Sequence, residues 1–176
     1  MKITTRLFGE LDINSSDILH FPDGLFGFEN HTKFVVIDPN DKNCIVWLQS
    51  MTDEKVAFPI IEPKVFFPDY TVTLMPSDLR ALELVSVNEA NVFTILTIPS
   101  NVTKMTANLK SPIIINRLKN VAKQIILQDN NPVQFEMFKT LKQYLVSAIS
   151  NDVPRTSVSV GVDLKSTIPP ASESIN

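Results

Sequence analysis

Two histidines, His20 and His31, a single cysteine, Cys44, and a scatter of carboxylates are the side chains of this sequence best suited to chemistry. A zinc or iron site would need the histidines close together, with a third and a fourth ligand at metal-binding spacing. Neither an HxH nor an HxxxH occurs, so both read as structural or surface residues. A lone cysteine closes no disulfide within the chain. Its surroundings, NCIVWLQ, read as a strand, which makes Cys44 a buried structural thiol rather than a nucleophile. No GxSxG, GxxxxGK[ST] or GxGxxG is present, and a chain with four glycines cannot cradle phosphates at several points. Among the carboxylates, Asp53 and Glu54 share a polar turn where solvation is the default. Asp69, in FFPDY, is the best candidate for a polar group in an apolar rim, although a turn fixed by Pro68 accounts for it equally. These absences place a binding role above catalysis and call for no metal or cofactor.

The elements that would position such residues are mostly strands. Short runs rich in Ile, Val, Thr and Phe succeed one another over residues 1–127: KITTRLF, ELDI, ILHF, FVVI, CIVWLQS, VAFPII, YTVTLM, NVFTILTI, PIIIN and KQIIL. Turn clusters such as NSSD, DPNDKN, MTDEK and NRLKN separate most of them. Many short strands at regular spacing predict a sandwich or barrel, and periodicity alone does not say which. One short helix interrupts them at MPSDLRALEL, with Ser77 as its N-cap and Leu79, Leu82 and Leu84 on one side. From Asn130 the texture changes. Phe138, Leu141, Leu145 and Ala148 fall at helical spacing, predicting an amphipathic helix over about 134–149. Asn131 and Pro132 serve as its cap and first-turn pair. The remainder is small and polar, holds one alternating run, TSVSVGV, and reads as a loosely ordered tail. The expected organisation is a mainly β domain over 1–129, a helical extension over 130–150 and a tail over 151–176.

Hydrophobic residues at 44% and charged residues at 20% belong to a folded chain, not a disordered one. The net charge of -3 hides an asymmetry: residues 1–100 hold seven bases and fourteen acids, a balance of -7, and the rest nine and five, a balance of +4. An acidic face attracts a basic partner rather than nucleic acid. The basic stretch Lys104, Lys110, Arg117, Lys119 and Lys123 has no interleaved aromatic and centres on a hairpin turn, so direct nucleic-acid binding is not expected. No apolar leader and no membrane-length run are found, so the expected location is the cytoplasm.

Four blocks, FPDGLFGFE (21–29), WLQS (47–50), FFPDY (66–70) and MTANLKSPIIIN (105–116), followed by KQIIL, occur in an order and spacing that closely resemble the flagellar assembly factor FliW family. The resemblance spans about 3–129. It implies a small β-barrel-like fold, no enzymatic activity, and two protein partners. One is the CsrA-type translational regulator, a small basic dimer that represses flagellin mRNA; the other is flagellin itself. It further implies that exported flagellin releases the factor, which then relieves repression without occupying the RNA site. The chain departs from the family after Asn130, where the family usually ends.

Partner contact is expected from polar residues at the edges of these blocks. Asn108 has an amide that can pair with exposed backbone. Glu29, Asp53, Glu62 and Asp69 could face cations, and Tyr70 could serve as an amphipathic anchor. The alternative from another class is a small-molecule-binding barrel, or a hydrolase built around Asp69 and a histidine. Within FPDGLFGFE, Gly24 is expected at positive φ in a PDG turn. Gly27 is expected to admit a close backbone approach, with Phe21, Leu25, Phe26 and Phe28 as apolar cover.

Overall fold

The computed structural model describes residues 1–39 and 44–151. In chain order these form β1 (Lys2–Thr5), β2 (Gly9–Asp12), β3 (Ile18–His20), β4 (Lys33–Ile37), β5 (Ile45–Ser50), β6 (Ala57–Ile61), α1 (Pro76–Ala81), β7 (Asn91–Thr97), β8 (Thr106–Ala107), β9 (Ile113–Asn116), β10 (Val121–Gln124), β11 (Phe135–Glu136) and α2 (Phe138–Asn151).

Seven strands close a barrel. β3 through β7 pair antiparallel in sequence, β10 joins β3 to β9, and β9 returns to β7. Beyond its pairing with β6, β7 serves two neighbours along its other edge. Asn91, Val92 and Phe93 pair with β9, while Leu96 and Thr97 pair with β8, to which β11 adds. The β10–β3 contact is parallel and is recorded at Val121 and His20.

Period-two alternation explains why the strands read as unbroken apolar runs: both faces are covered. Leu19, Phe34, Leu48, Ile60, Ile113, Ile115 and Ala122 fill the barrel interior and are fully buried. Their immediate neighbours Val35, Ile37 and Trp47 turn outward under the β1–β2 hairpin, against Ile3, Leu7, Phe8 and Leu11. Phe8 meets Trp47 edge-on at 5.9 Å. On another outer flank Ile61, Ile114 and Leu96 lie under a second cover. It is made of Phe66 and Tyr70, Leu82 and Leu84 after α1, Met137 just before α2 and Leu141 in its first turn. The run Ile113, Ile114, Ile115 thus supplies two side chains to the interior and one to this flank.

Several expectations are corrected. YTVTLM forms no strand: residues 71–75 enter no strand pairing among the described residues. Met75, not Ser77, is the N-cap of α1, and the Asp78 carboxylate accepts its backbone N–H at 3.3 Å. The C-terminal helix begins at Phe138, four residues later than expected, because Phe135 and Glu136 are taken up as a strand against β8. Asn131 and Pro132 therefore cap nothing helical; the Pro132 carbonyl accepts from Leu109 N instead. Phe138 and Leu141 dock on the outer flank. The side chains of Leu145 and Ala148 lie outside the described residues, as does the run TSVSVGV.

Gly24 has φ +66, and a Cβ there would lie 2.6 Å from the Glu29 Cα and 2.7 Å from the Phe28 carbonyl oxygen. Gly27 differs from expectation: no atom comes within 4 Å of its would-be Cβ, and its φ of +82 is what requires glycine. Phe21 and Leu25 are buried, but Phe26 and Phe28 are 51% and 37% exposed and so are not simply cover.

Candidate protein-interaction surface

The structure divides the six candidate residues between two regions. Glu29 and Asp53 belong to one end of the barrel, where the 21–32 loop meets the β5–β6 turn. The loop is built from short turns: Gly24 N donates to Phe21 O, Phe28 N to Leu25 O and His31 N to Phe28 O. The Glu29 carboxylate accepts the Gly27 N–H at 2.8 Å. That bond, with a second from its own backbone, holds its pKa below the usual carboxylate value. His31 Nδ1 lies 3.0 Å from Ser50 Oγ and 3.3 Å from Thr52 Oγ1, tying the loop to the turn. Asp53 accepts from Lys55 N at 2.9 Å, and buried Gln49 donates to the Ser50, Asp53 and Val56 carbonyls. Glu29, His31 and Asp53 therefore hold their own turns first. Beyond them the exposed Phe26 ring stands on a backbone fixed by Gln124, whose Oε1 accepts its N–H at 3.0 Å.

Glu62, Asp69, Tyr70 and Asn108 gather on the flank covered by α1 and α2. Tyr70 is buried, 2% exposed, and its hydroxyl donates to the Leu109 carbonyl at 2.7 Å. Burial raises the phenol pKa, and the nearby Asp129 carboxylate raises it further. Tyr70 therefore clamps the 66–70 turn to the 108–111 turn rather than standing out as an exposed anchor. Asn108 closes the second turn by accepting Ser111 N at 3.0 Å, while its backbone bonds to Ile95 and Thr94 of β7. Glu62 and Asp69 are exposed, with no ion pair among the described residues.

Beside Tyr70 lies a groove of about 340 Å³, lined by Glu62, Lys64, Thr71, Val72, Asn88 and Asn91 among others. The Asn88 and Asn91 side-chain amides have no bond to a described residue. Sequence reading missed these two asparagines because turn chemistry explains both, and no spacing joins them to Glu62.

The charge asymmetry is partly cancelled in three dimensions. Lys123 lies 3.1 Å from Asp78 and 4.0 Å from Asp23, and Lys119 lies 3.7 Å from Glu83. Two of the five bases in the 104–123 stretch thus neutralise acids of the first half. Cys44 is half-buried just before β5, and burial pushes its thiol pKa up. His20 is exposed on β3 and not joined to His31. No cluster of three potential metal ligands occurs among the described residues, and no described helix is long and apolar enough to cross a membrane.

A closed seven-stranded barrel, filled by its own side chains and flanked by a strand hairpin and short helices, defines the class: a small β-barrel with a packed interior. The FliW protein family model matches residues 2–137. The chain is 38% identical over 166 residues to the flagellar assembly factor FliW of Bdellovibrio bacteriovorus, covering 94% of this chain and 95% of that one. It is 43% identical to that of Thermosipho africanus over 128 residues, covering 72% and 88%. A crystal structure of the flagellar assembly factor FliW superposes with a TM-score of 0.74 at 32% identity, covering 78% of this chain and 97% of that one. The chain belongs to the FliW family. The family match runs past the 129 boundary suggested by the motifs and takes in β11. The Bdellovibrio relative aligns over most of the C-terminal extension as well.

Proposed function

We propose that this chain is a non-enzymatic cytoplasmic regulator of flagellin synthesis, which binds a small basic translational regulator of the CsrA type and also binds flagellin. Flagellin would occupy it until export; the released factor would then relieve repression of flagellin translation. Membership of the FliW family carries this reading. Carboxylates at Glu62 and Asp69 that are exposed and have no ion pair among the described residues support it, because a basic partner would complete them. The ion pairs of Lys119 and Lys123 weigh against a phosphate backbone as the partner. The second reading, a small-molecule barrel or hydrolase, is disfavoured by an interior packed with Leu19, Phe34, Leu48 and Ile60. Asp69 and the two histidines also lie on different elements.

The test is capture from native cytoplasm with the tagged full chain, followed by titration calorimetry with the purified candidates. Recovery of flagellin and of the basic regulator, each binding directly, is the expected result. A chain that captures neither and binds neither in purified form overturns the proposal.

A further inference from the structure

Residues 71–75 carry the sequence pattern of a strand without the bonds of one. Val72 and Leu74 pack against the outer-flank core, while Thr71, Thr73 and Met75 face solvent, so the segment alternates like an edge strand. Yet the backbone N–H and C=O groups of Thr71, Val72, Thr73 and Leu74 meet no partner among the described residues. Such a row is a template for pairing with another chain. Proteins blunt such edges with lysines, prolines or bulges. Here no charge lies within TVTLM, and its one proline, Pro76, comes only after the last of it.

The surroundings specify what would pair. The groove runs along the start of the segment, with Thr71 and Val72 in its wall. Asn88 and Asn91 line the same groove, and their exposed amides can each give and accept a hydrogen bond, as an extended peptide backbone requires. Glu62 and Lys64 line the groove itself, and Asp69, next in sequence to the lining Tyr70, adds an exposed carboxylate beside it; neither carboxylate has an ion pair among the described residues.

We propose that residues 71–74 are an open backbone edge, to which an extended, positively charged segment of a partner protein adds as a strand, with its side chains entering the Glu62–Asn91 groove. Main-chain bonds would give affinity and the groove would choose the side chains. This deepens the proposed function by giving it a surface, and rests on that reading for its partner.

Backbone hydrogen exchange in the full chain tests it, with the purified basic regulator and purified flagellin as separate probes. The expected result is that the regulator slows exchange by at least about tenfold, the size of one hydrogen bond gained, at one alternate pair, Thr71 and Thr73 or Val72 and Leu74, because successive N–H groups of a strand point to opposite edges. Where Thr71 and Thr73 are the protected pair, Thr73→Pro, which removes one of those N–H groups, should weaken regulator binding by about tenfold or more. Thr73→Val, which keeps the backbone, should bind within about twofold. Regulator binding with unchanged exchange at 71–74 overturns the proposal and leaves the proposed function standing. Protection by flagellin alone overturns the cationic occupant. If neither probe binds wild-type chain, the proposed function fails and this surface with it. Should Thr73→Pro not fold, exchange in the wild-type complex decides by itself.

Discussion

The hydroxyl of Tyr70 reaches the backbone carbonyl of Leu109 at 2.7 Å, joining two turns thirty-nine positions apart in the sequence. The bond is buried, so water cannot replace it. Tyr70→Phe leaves the Leu109 carbonyl unsatisfied and should cost about 1–3 kcal/mol. Urea denaturation followed by tryptophan fluorescence measures it; an unchanged midpoint would show that the clamp carries no weight.

The same phenol sets an alkaline limit. Its folded pKa is raised by burial and by the Asp129 carboxylate. A raised folded value contributes stability that is full below the unfolded pKa of about 10 and is lost as pH rises beyond it. Wild-type stability should therefore fall above about pH 10 more steeply than that of Tyr70→Phe. Parallel melts across that range would expose any failure of the two to diverge.

Gly24 and Gly27 both have positive φ, but only Gly24 is crowded by backbone. Gly24→Ala should cost more than the ~1–2 kcal/mol of left-handed backbone strain, because Glu29 and Phe28 must also move. Gly27→Ala should cost only the strain. Equal losses for the two in thermal melts would mean that the close approach at Gly24 is unimportant.

Glu29 should govern its loop at low pH. Its carboxylate accepts the Gly27 N–H and its pKa is depressed. That contribution is present above the unfolded carboxylate pKa and disappears as pH falls through the folded one. The Gly27 amide resonance should titrate with Glu29 in acid, and Glu29→Gln should abolish that titration. A Gly27 resonance that is flat through the acid range would place the bond elsewhere.

Leu141 is 3% exposed at the start of α2 and belongs to the same core as Met105 and Ile114. Leu141→Ala should cost about 2–5 kcal/mol, whereas Gln143→Ala, on an exposed position, should stay within about 0.5 kcal/mol. Equal small effects would make the helix an appendage rather than part of the barrel's cover.

The sequence was most informative where burial is two-sided. IIIN and IVWL read as strands because both faces must be apolar, and both are. It misled at TVTLM, where alternation reflects one packed face, and pairing needs a neighbour that periodicity does not specify. The two-residue strands β8 and β11 were beyond reach, because two residues have no period and their pairing with β7 is a tertiary fact. The PDG turn was legible from chemistry alone, and its positive φ at Gly24 follows. The groove was not: Glu62, Tyr70, Asn88 and Asn91 converge only after β6 and β7 are side by side. The acidic bias of the first half was real as composition. Its bearing on the surface changed once Lys119 and Lys123 were found beside Glu83 and Asp78.

Barrel closure has a kinetic side. β3 and β10 meet along a parallel seam recorded at Val121 and His20, and the bond from His20 N to Asn120 O, at 2.7 Å, spans a hundred positions of chain. The neighbouring Asn120 side chain donates to Ser16 O at 2.7 Å over a similar span. Closing so long a loop is entropically costly and brings few bonds in return, which places the seam late on the folding path. The antiparallel β4–β5–β6 meander can form before it, from local contacts. Traversed backwards, the same order makes the seam the first place where the cylinder opens, and its amides the earliest to exchange by sub-global unfolding.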